Sequence, residues 1–388
     1  MKITNDIRYV GVNDHQVDLF EGQYVVPNGM AYNSYVILDE KVAVMDTVDR
    51  NFTHQWLDNI QNTLAGRKPD YLVIQHMEPD HSANIANFLK VYPDTIVVSS
   101  AKAFTMMKQF FGDDYADRRV IVGEGDTLCL GKHTLAFVTA PMVHWPEVIV
   151  TYDTCDKVLF SADGFGKFGA LDVEEDWACE ARRYYIGIVG KYGAQVQNLL
   201  KKAAGLDVQC LCPLHGPVWR QNIAWFVEKY QLWSTYTPED RTVAIFCGSV
   251  YGHTENAAEI LANRLAEKGV KGITLYDVSR TDVSELVSEA FRCSHLVLTA
   301  ATYNGGIFTP MESFLLDLKA HGLQNRTVAV IDNGTWAAQA GKQMKELVGA
   351  MKNMTLLEES VSLKSSVKEP QKAALEALAD QLAADILG

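Results

Sequence analysis

Beyond Asp240, apolar strands and amphipathic helices alternate without interruption, and that alternation limits the fold more than any other feature. The pattern predicts strands over 243–246, 273–276, 296–298, 328–331 and 355–357, and helices over 255–268, 283–291, 310–319, 337–351 and 370–386. Five consecutive β-α units make a doubly wound parallel sheet with helices on both faces. Such sheets bind their ligands at the carboxyl ends of the strands.

The preceding part of the chain is patterned differently. Short β-branched runs at 34–38, 42–45, 95–98, 119–122, 135–138, 148–151 and 158–160 read as strands, with helical patterns at 101–111, 177–189 and 194–203. Many strands with interspersed helices predict packed sheets flanked by helices, an α+β layered domain. The polar, proline-bearing stretch Trp233-Ser234-Thr235-Tyr236-Thr237-Pro238-Glu239-Asp240 separates the two patterns, which predicts domains over 1–238 and 242–388.

The 388 residues are 48% hydrophobic and 21% charged, enough for more than one core. A net charge of −13 argues against nucleic acid as a partner. No apolar run approaches the ~20 residues that span a bilayer, and the first residues lack a signal-peptide core. A cytoplasmic protein with no membrane partner is the expectation. The seven cysteines form no C-x-x-C pair, so neither a disulfide framework nor a Cys₄ metal site is expected. Cys210 and Cys212 alternate on an apolar strand and read as core residues.

The apolar run Tyr71-Leu72-Val73-Ile74 leads into His76-Met77-Glu78-Pro79-Asp80-His81, four candidate metal ligands in six residues. His144, Asp163 and His215 each follow a predicted strand as well. Taken singly, a histidine past a strand is most often a hydrogen-bonded structural residue, and an aspartate in Ser161-Ala162-Asp163-Gly164 a turn residue. Crowded together, uncompensated charges would be costly without a cation. Four histidines and three carboxylates suit two metal ions with one bridging carboxylate, and the carboxylates favour harder metals.

In the second domain, Phe246-Cys247-Gly248-Ser249-Val250-Tyr251-Gly252-His253-Thr254 joins the first strand to the first helix. Its glycines, hydroxyls and helix N-terminus offer a phosphate site, although the loop also reads as an ordinary helix start with Thr254 as N-cap. Thr302-Tyr303-Asn304-Gly305-Gly306 and Asn333-Gly334-Thr335-Trp336 follow the third and fourth strands. Their aromatics and exposed backbone suit a planar ring system. No G-x-G-x-x-G occurs, which disfavours a dinucleotide.

The pattern H-x-E-x-D-H, followed by His144, Asp163 and His215 within Cys212-Pro213-Leu214-His215-Gly216-Pro217, resembles the metallo-β-lactamase superfamily. Hydrolases of that fold usually carry His where Glu78 stands and hold zinc. The Glu form, followed by loops similar to those of flavodoxins, resembles the flavodiiron proteins along the whole chain. The resemblance implies an αββα metallo-β-lactamase-like sandwich followed by a flavodoxin-like α/β domain. It implies two non-haem irons, one on His76, Glu78 and His144 and one on Asp80, His81 and His215, bridged by Asp163, with ligation by His81 varying within the family. It further implies FMN held by Ser249, Val250, Tyr251, Gly252, His253, Thr254, Thr302, Tyr303, Asn304, Gly305, Gly306, Asn333, Gly334, Thr335 and Trp336. Two departures stand out: His253 where a small polar residue is usual, and Asn333-Gly334-Thr335 in place of a Ser/Gly-rich run.

A flavin carrier joined to a diiron site reads as a reductase of dioxygen to water, of nitric oxide to nitrous oxide, or both. Trp145, Phe165 and Phe168 flank the ligands and are candidate walls of an apolar gas pocket, or else ordinary core residues. The absence of paired C-x-x-C motifs predicts an external donor, rubredoxin-like or otherwise. The resemblance implies a head-to-tail homodimer or a dimer of dimers. The competing readings are a dinuclear zinc hydrolase with an accessory flavodoxin module, and a flavin carrier with a vestigial metal site.

Overall fold

The computed structural model describes residues 1–388. The chain divides into two compact units, Met1–Gln231 and Leu232–Gly388. Helix Ile223–Ser234 runs across the division.

In the first unit, a six-stranded sheet runs Ile7–Tyr9, Tyr35–Leu38, Val42–Met45, Tyr71–Val73, Ile96–Ser99, Arg119–Ile121 from edge to edge. A five-stranded sheet runs Thr127–Cys129, Thr134–Thr139, Ile149–Asp153, Val158–Phe160, Cys210–Cys212. Alternate residues of both sheets meet in one buried core: Tyr35, Ile37, Ala43, Met45, Tyr71 and Val73 from the first, and Leu135, Phe137, Val158, Phe160, Cys210 and Cys212 from the second. The period of two in each strand produces that face. The opposite face of the first sheet is buried too, at Val36, Val44, Leu72 and Val97. Helix Thr53–Leu64 buries Trp56, Ile60 and Leu64, spaced by four, as a packing stripe. This is the αββα sandwich expected, with the two cysteines in its core.

Strand direction places the loops. Val42–Met45, Tyr71–Val73 and Ile96–Ser99 are mutually parallel, as are Val158–Phe160 and Cys210–Cys212. Within each sheet the carboxyl ends of these strands therefore open on the same side. His76 leaves one such end, and Asp163 and His215 leave the other.

The second unit is a parallel sheet ordered Thr274–Asp277, Asp240–Gly248, Cys293–Tyr303, Thr327–Asn333, Thr355–Leu363, that is, second, first, third, fourth, fifth. The order reverses between the first and third strands, which makes the switch point where ligands of such sheets bind. The helix expected at 337–351 is shorter, Ala340–Gly349. Thr302 explains its start: its Oγ1 accepts from the backbone N–H groups of Gln339 and Ala340, capping the helix from a neighbouring loop. No helix of the molecule is long and apolar enough to cross a membrane.

Candidate metal centre and cofactor cleft

His76 stands three residues past strand Tyr71–Val73, and the backbone leading to it is held from below. The buried Asp46 carboxylate accepts from Gln75 N–H at 2.7 Å and from Gln75 Nε2 at 2.8 Å. Burial pushes Asp46 up to about 6 against the pull of those two donors. Glu78 then ends the extended segment, and Pro79 starts the single-turn helix Pro79–Ser82 with its preset φ. That turn carries Asp80 and His81 inward. Ser82 Oγ closes it on the Met77 carbonyl at 2.8 Å, and Thr47 Oγ1 on the His81 carbonyl at 2.8 Å. Asp163 sits in a turn tied by Ser161 Oγ to Gly164 O at 2.6 Å. His215 donates its Nδ1–H to Ala31 O at 2.7 Å, which turns Nε2 toward the site.

All seven ligand candidates converge. His76, Glu78, His144 and Asp163 bring one atom each within 4.8 Å of the others, and Asp80, His81 and His215 do the same. In the first group, His76 Nε2 lies 3.2 Å from both Glu78 Oε2 and His144 Nε2. In the second, His81 and His215 Nε2 are 2.9 Å apart, each 3.2 Å from Asp80 Oδ2. Asp163 stands between the groups. Its Oδ2 is 3.2 Å from His76 Nε2 and 3.3 Å from His144 Nε2, and its Oδ1 is 3.5 Å from His81 Nε2 and 3.8 Å from His215 Nε2.

These donors fit cations. Two neutral imidazoles that aim Nε2 lone pairs at each other repel unless a proton or a cation sits between them. Both oxygens of Asp80 and of Asp163 are buried without a properly placed hydrogen-bond donor, a costly state unless an ion fills it. Protons substitute in the electrostatics. Burial alone would raise Asp163, but His76, His144 and His81 hold its carboxyl well below the usual range. Burial alone would lower His144, but Asp163 and Glu78 push it up to about 9.

Glu147 is the important residue that sequence reasoning missed. It accepts from His76 Nδ1 at 2.8 Å and from Met77 N–H at 2.9 Å. Its place three residues past His144 was the available signal. A cavity of about 520 Å³ opens on Glu78 and Asp80, with apolar walls from Leu19, Phe20, Tyr32 and Phe52. Trp145, Phe165 and Phe168 do not line it. Phe168 packs on Phe20, Tyr24 and Tyr184, Phe165 stacks on Tyr230, and Trp145 stands edge-on to His76. Phe165 and Phe168 are buried in these ring contacts, while Trp145 stays half-buried beside His76.

A third grouping, His133, Cys155 and Asp156, is structural. Both ring nitrogens of His133 are already taken, Nδ1 by Asp153 at 3.0 Å and Nε2 by Asp6 at 3.2 Å.

In the second unit the three expected loops enclose a cleft of about 520 Å³, within the range of cofactor sites, about 300–1,000 Å³. Of the fifteen residues named for it, thirteen line the cleft, and Gly252 and Gly306 do not. Gly252, with φ 85°, rather than Thr254, caps helix His253–Glu267, and it has no side chain to occupy the first-turn N–H groups. Those donors face outward for an anion. Thr254 is buried and accepts from Asn333 Nδ2 at 3.3 Å. Asn333 also pairs with the backbone of Ser365 through both amide atoms, at 2.9 and 3.0 Å. Ser365 and Gln339 join the lining unforeseen, since neither lies on the three loops. Tyr251 and Trp336, 90% and 93% exposed, stand at the rim as aromatic faces without cover. The pocket, anion donors and aromatic rim fit FMN.

A family model described as ODP family beta lactamase matches residues 30–216. The anaerobic nitric oxide reductase flavorubredoxin of Shigella flexneri is 30% identical over 383 residues, 96% of this chain and 79% of the relative. The rubredoxin oxygen:oxidoreductase of Desulfovibrio gigas superposes with a TM-score of 0.92 at 27% identity, covering 100% of this chain and 98% of that one. The flavodiiron protein of Giardia intestinalis shares the fold, with a TM-score of 0.92 at 24% identity over 100% of this chain and 96% of that one.

Proposed function

The chain belongs to the flavodiiron family, and from that premise we propose that it is an oxidoreductase reducing dioxygen to water, nitric oxide to nitrous oxide, or both. The observation that carries this reading is Asp163, one carboxylate facing two separate buried histidine–carboxylate groups. His76, Glu78 and His144 would hold one iron, Asp80, His81 and His215 the other, and Asp163 both. The loops 249–254, 302–306 and 333–336, with Ser365 and Gln339, would hold FMN. When bound, the iron pair supplies electrons to the diatomic substrate and the flavin collects them from a donor.

The protein's own groups do the rest. Glu147 and the Ala31 carbonyl fix the His76 and His215 rings with Nε2 inward. The cavity outside Glu78 combines apolar walls with the carboxylates of Asp14 and Asp49, and with Glu21, whose carboxyl is pushed up to about 8 by burial and by the neighbouring Glu78. Such a mouth admits a neutral diatomic and repels anions. The zinc hydrolase reading loses its support, because the relatives are reductases and Glu78 stands where hydrolases usually place a histidine. We include in the proposal an external rubredoxin-like donor, a head-to-tail homodimer and a cytoplasmic location.

The test is metal and flavin analysis of the purified protein, followed by anaerobic turnover of the reduced enzyme with nitric oxide and with dioxygen at equal electron supply. Iron and FMN bound together, with consumption of one gas or both, are expected. Two zinc ions, no iron and no flavin absorbance would end the proposal.

A further inference from the structure

The two halves of the centre carry matched donors: two histidines and one terminal carboxylate each, and one oxygen apiece of Asp163. What stands behind the imidazoles differs. His76 Nδ1 donates at 2.8 Å to Glu147 Oε1, and the Glu147 side chain is fully buried. The same oxygen accepts from Met77 N–H at 2.9 Å. Glu147 Oε2 has no donor, so hydrogen bonds do not spread its charge further. The residue is itself anchored, Ser100 Oγ donating to its carbonyl at 2.9 Å.

The other half lacks such support. His215 leans on a neutral acceptor, the Ala31 carbonyl, at 2.7 Å. His81 Nδ1 is buried and meets no acceptor. A carboxylate behind a ligating imidazole fixes the ring and raises its basicity. A neutral carbonyl fixes the ring with less electronic effect, and an unpartnered nitrogen does neither.

Resting on the diiron reading above, we infer that the two positions are unequal: the His76–Glu78–His144 position takes its ion first and holds it more tightly, and Glu147 is the positioning residue that creates the difference. His144 and His81 both lack an acceptor at Nδ1, so Glu147 against the Ala31 carbonyl sets the order, and the Asp80–His81–His215 position is the last filled and the first emptied.

Titration of the metal-free full chain with Co²⁺, followed by ligand-field absorption, tests this. The wild type should fill in two resolved steps. D80A should lose the weaker step and keep the tighter one. E147Q keeps an acceptor oxygen for His76 and Met77 but removes the charge, and should weaken the tighter step by about 10- to 100-fold, bringing the steps together. In an E78A background, where the tighter position is already lost, E147Q should change the remaining step by less than about threefold, well below that outer-shell range. The thermal midpoint of the metal-free protein separates these effects from misfolding. E147D, which keeps the charge on a shorter arm, should retain more of the tighter step than E147Q. Two equal steps, loss of the tighter step in D80A, or E147Q binding like the wild type would each overturn the inference. Failure of the wild type to bind two ions would overturn the diiron reading itself.

Discussion

Below about pH 6.5 the buried imidazole of His133 carries a charge in folded and unfolded chains alike, but only the folded chain gives it partners. Nδ1 faces Asp153 at 3.0 Å and Nε2 faces Asp6 at 3.2 Å, and Lys132 holds the same Asp6 oxygen at 2.7 Å. The Asp153 hydrogen bond, opposed by burial and helped by Asp6, pushes His133 from 6.5 up to about 9. A raised histidine contributes stability that is fully present below the unfolded value and fades as pH climbs through the folded one. The shift from 6.5 to about 9 converts to about 3 kcal/mol at most. Asp6 is 29% exposed, so screening reduces the figure, and about 1–3 kcal/mol is expected. The perturbation is H133Q, which leaves the candidate metal centre untouched. The assay is denaturant unfolding of wild type and variant across pH, with metal and flavin contents matched because bound ligands shift apparent stability. The stability gap between the two proteins should be largest near pH 6 and shrink by about 1–3 kcal/mol by about pH 10. A gap that stays constant over that range would refute the reasoning, because lost packing alone does not titrate.

Two further substitutions probe the sites. D163N keeps the shape of the bridging side chain but replaces one ligand oxygen with an amide nitrogen that cannot bind a metal. Iron content should fall to one ion per chain or none, and gas turnover by at least the hundredfold or so that loss of an outer-shell partner can cost. Iron analysis beside steady-state rates checks both. In the cofactor cleft, a Cβ on Gly334 would stand 2.6 Å from Ala338 Cα and 2.8 Å from the Ala337 carbonyl, both backbone atoms. G334A should therefore displace the 333–336 loop at a cost of about 1–3 kcal/mol and weaken FMN binding about 10- to 100-fold. Flavin fluorescence titration of the FMN-free protein measures it, and the iron content should stay at the wild-type level.

Much of the frame was legible because its signals are local. Helix Ala101–Phe111 and strands Val42–Met45 and Val158–Phe160 match the periodicities of their own residues. Helices Thr53–Leu64 and Ile85–Val91 passed unnoticed. In the first, only Trp56, Ile60 and Leu64 are buried, a stripe too sparse to stand out from polar neighbours. Phe168 lies near Asp163 in sequence, yet its ring packs on Phe20, Tyr24 and Tyr184 rather than on the candidate ligands. Sequence proximity says which residues are close, not which way their side chains turn.

The sequence by itself determined the types of donor and where they could stand. Histidines and carboxylates placed just past strands must lie at sheet ends, and small polar loops past parallel strands must lie at the ligand-binding edge. Only the tertiary structure decided how these donors group. His76 meets Glu147 across 71 residues, and His81 meets His215 across 134. No local pattern encodes such pairings, because they follow from which strands become neighbours and in what direction. The same packing put Asp163 between two histidine groups and a buried carboxylate behind only one of them.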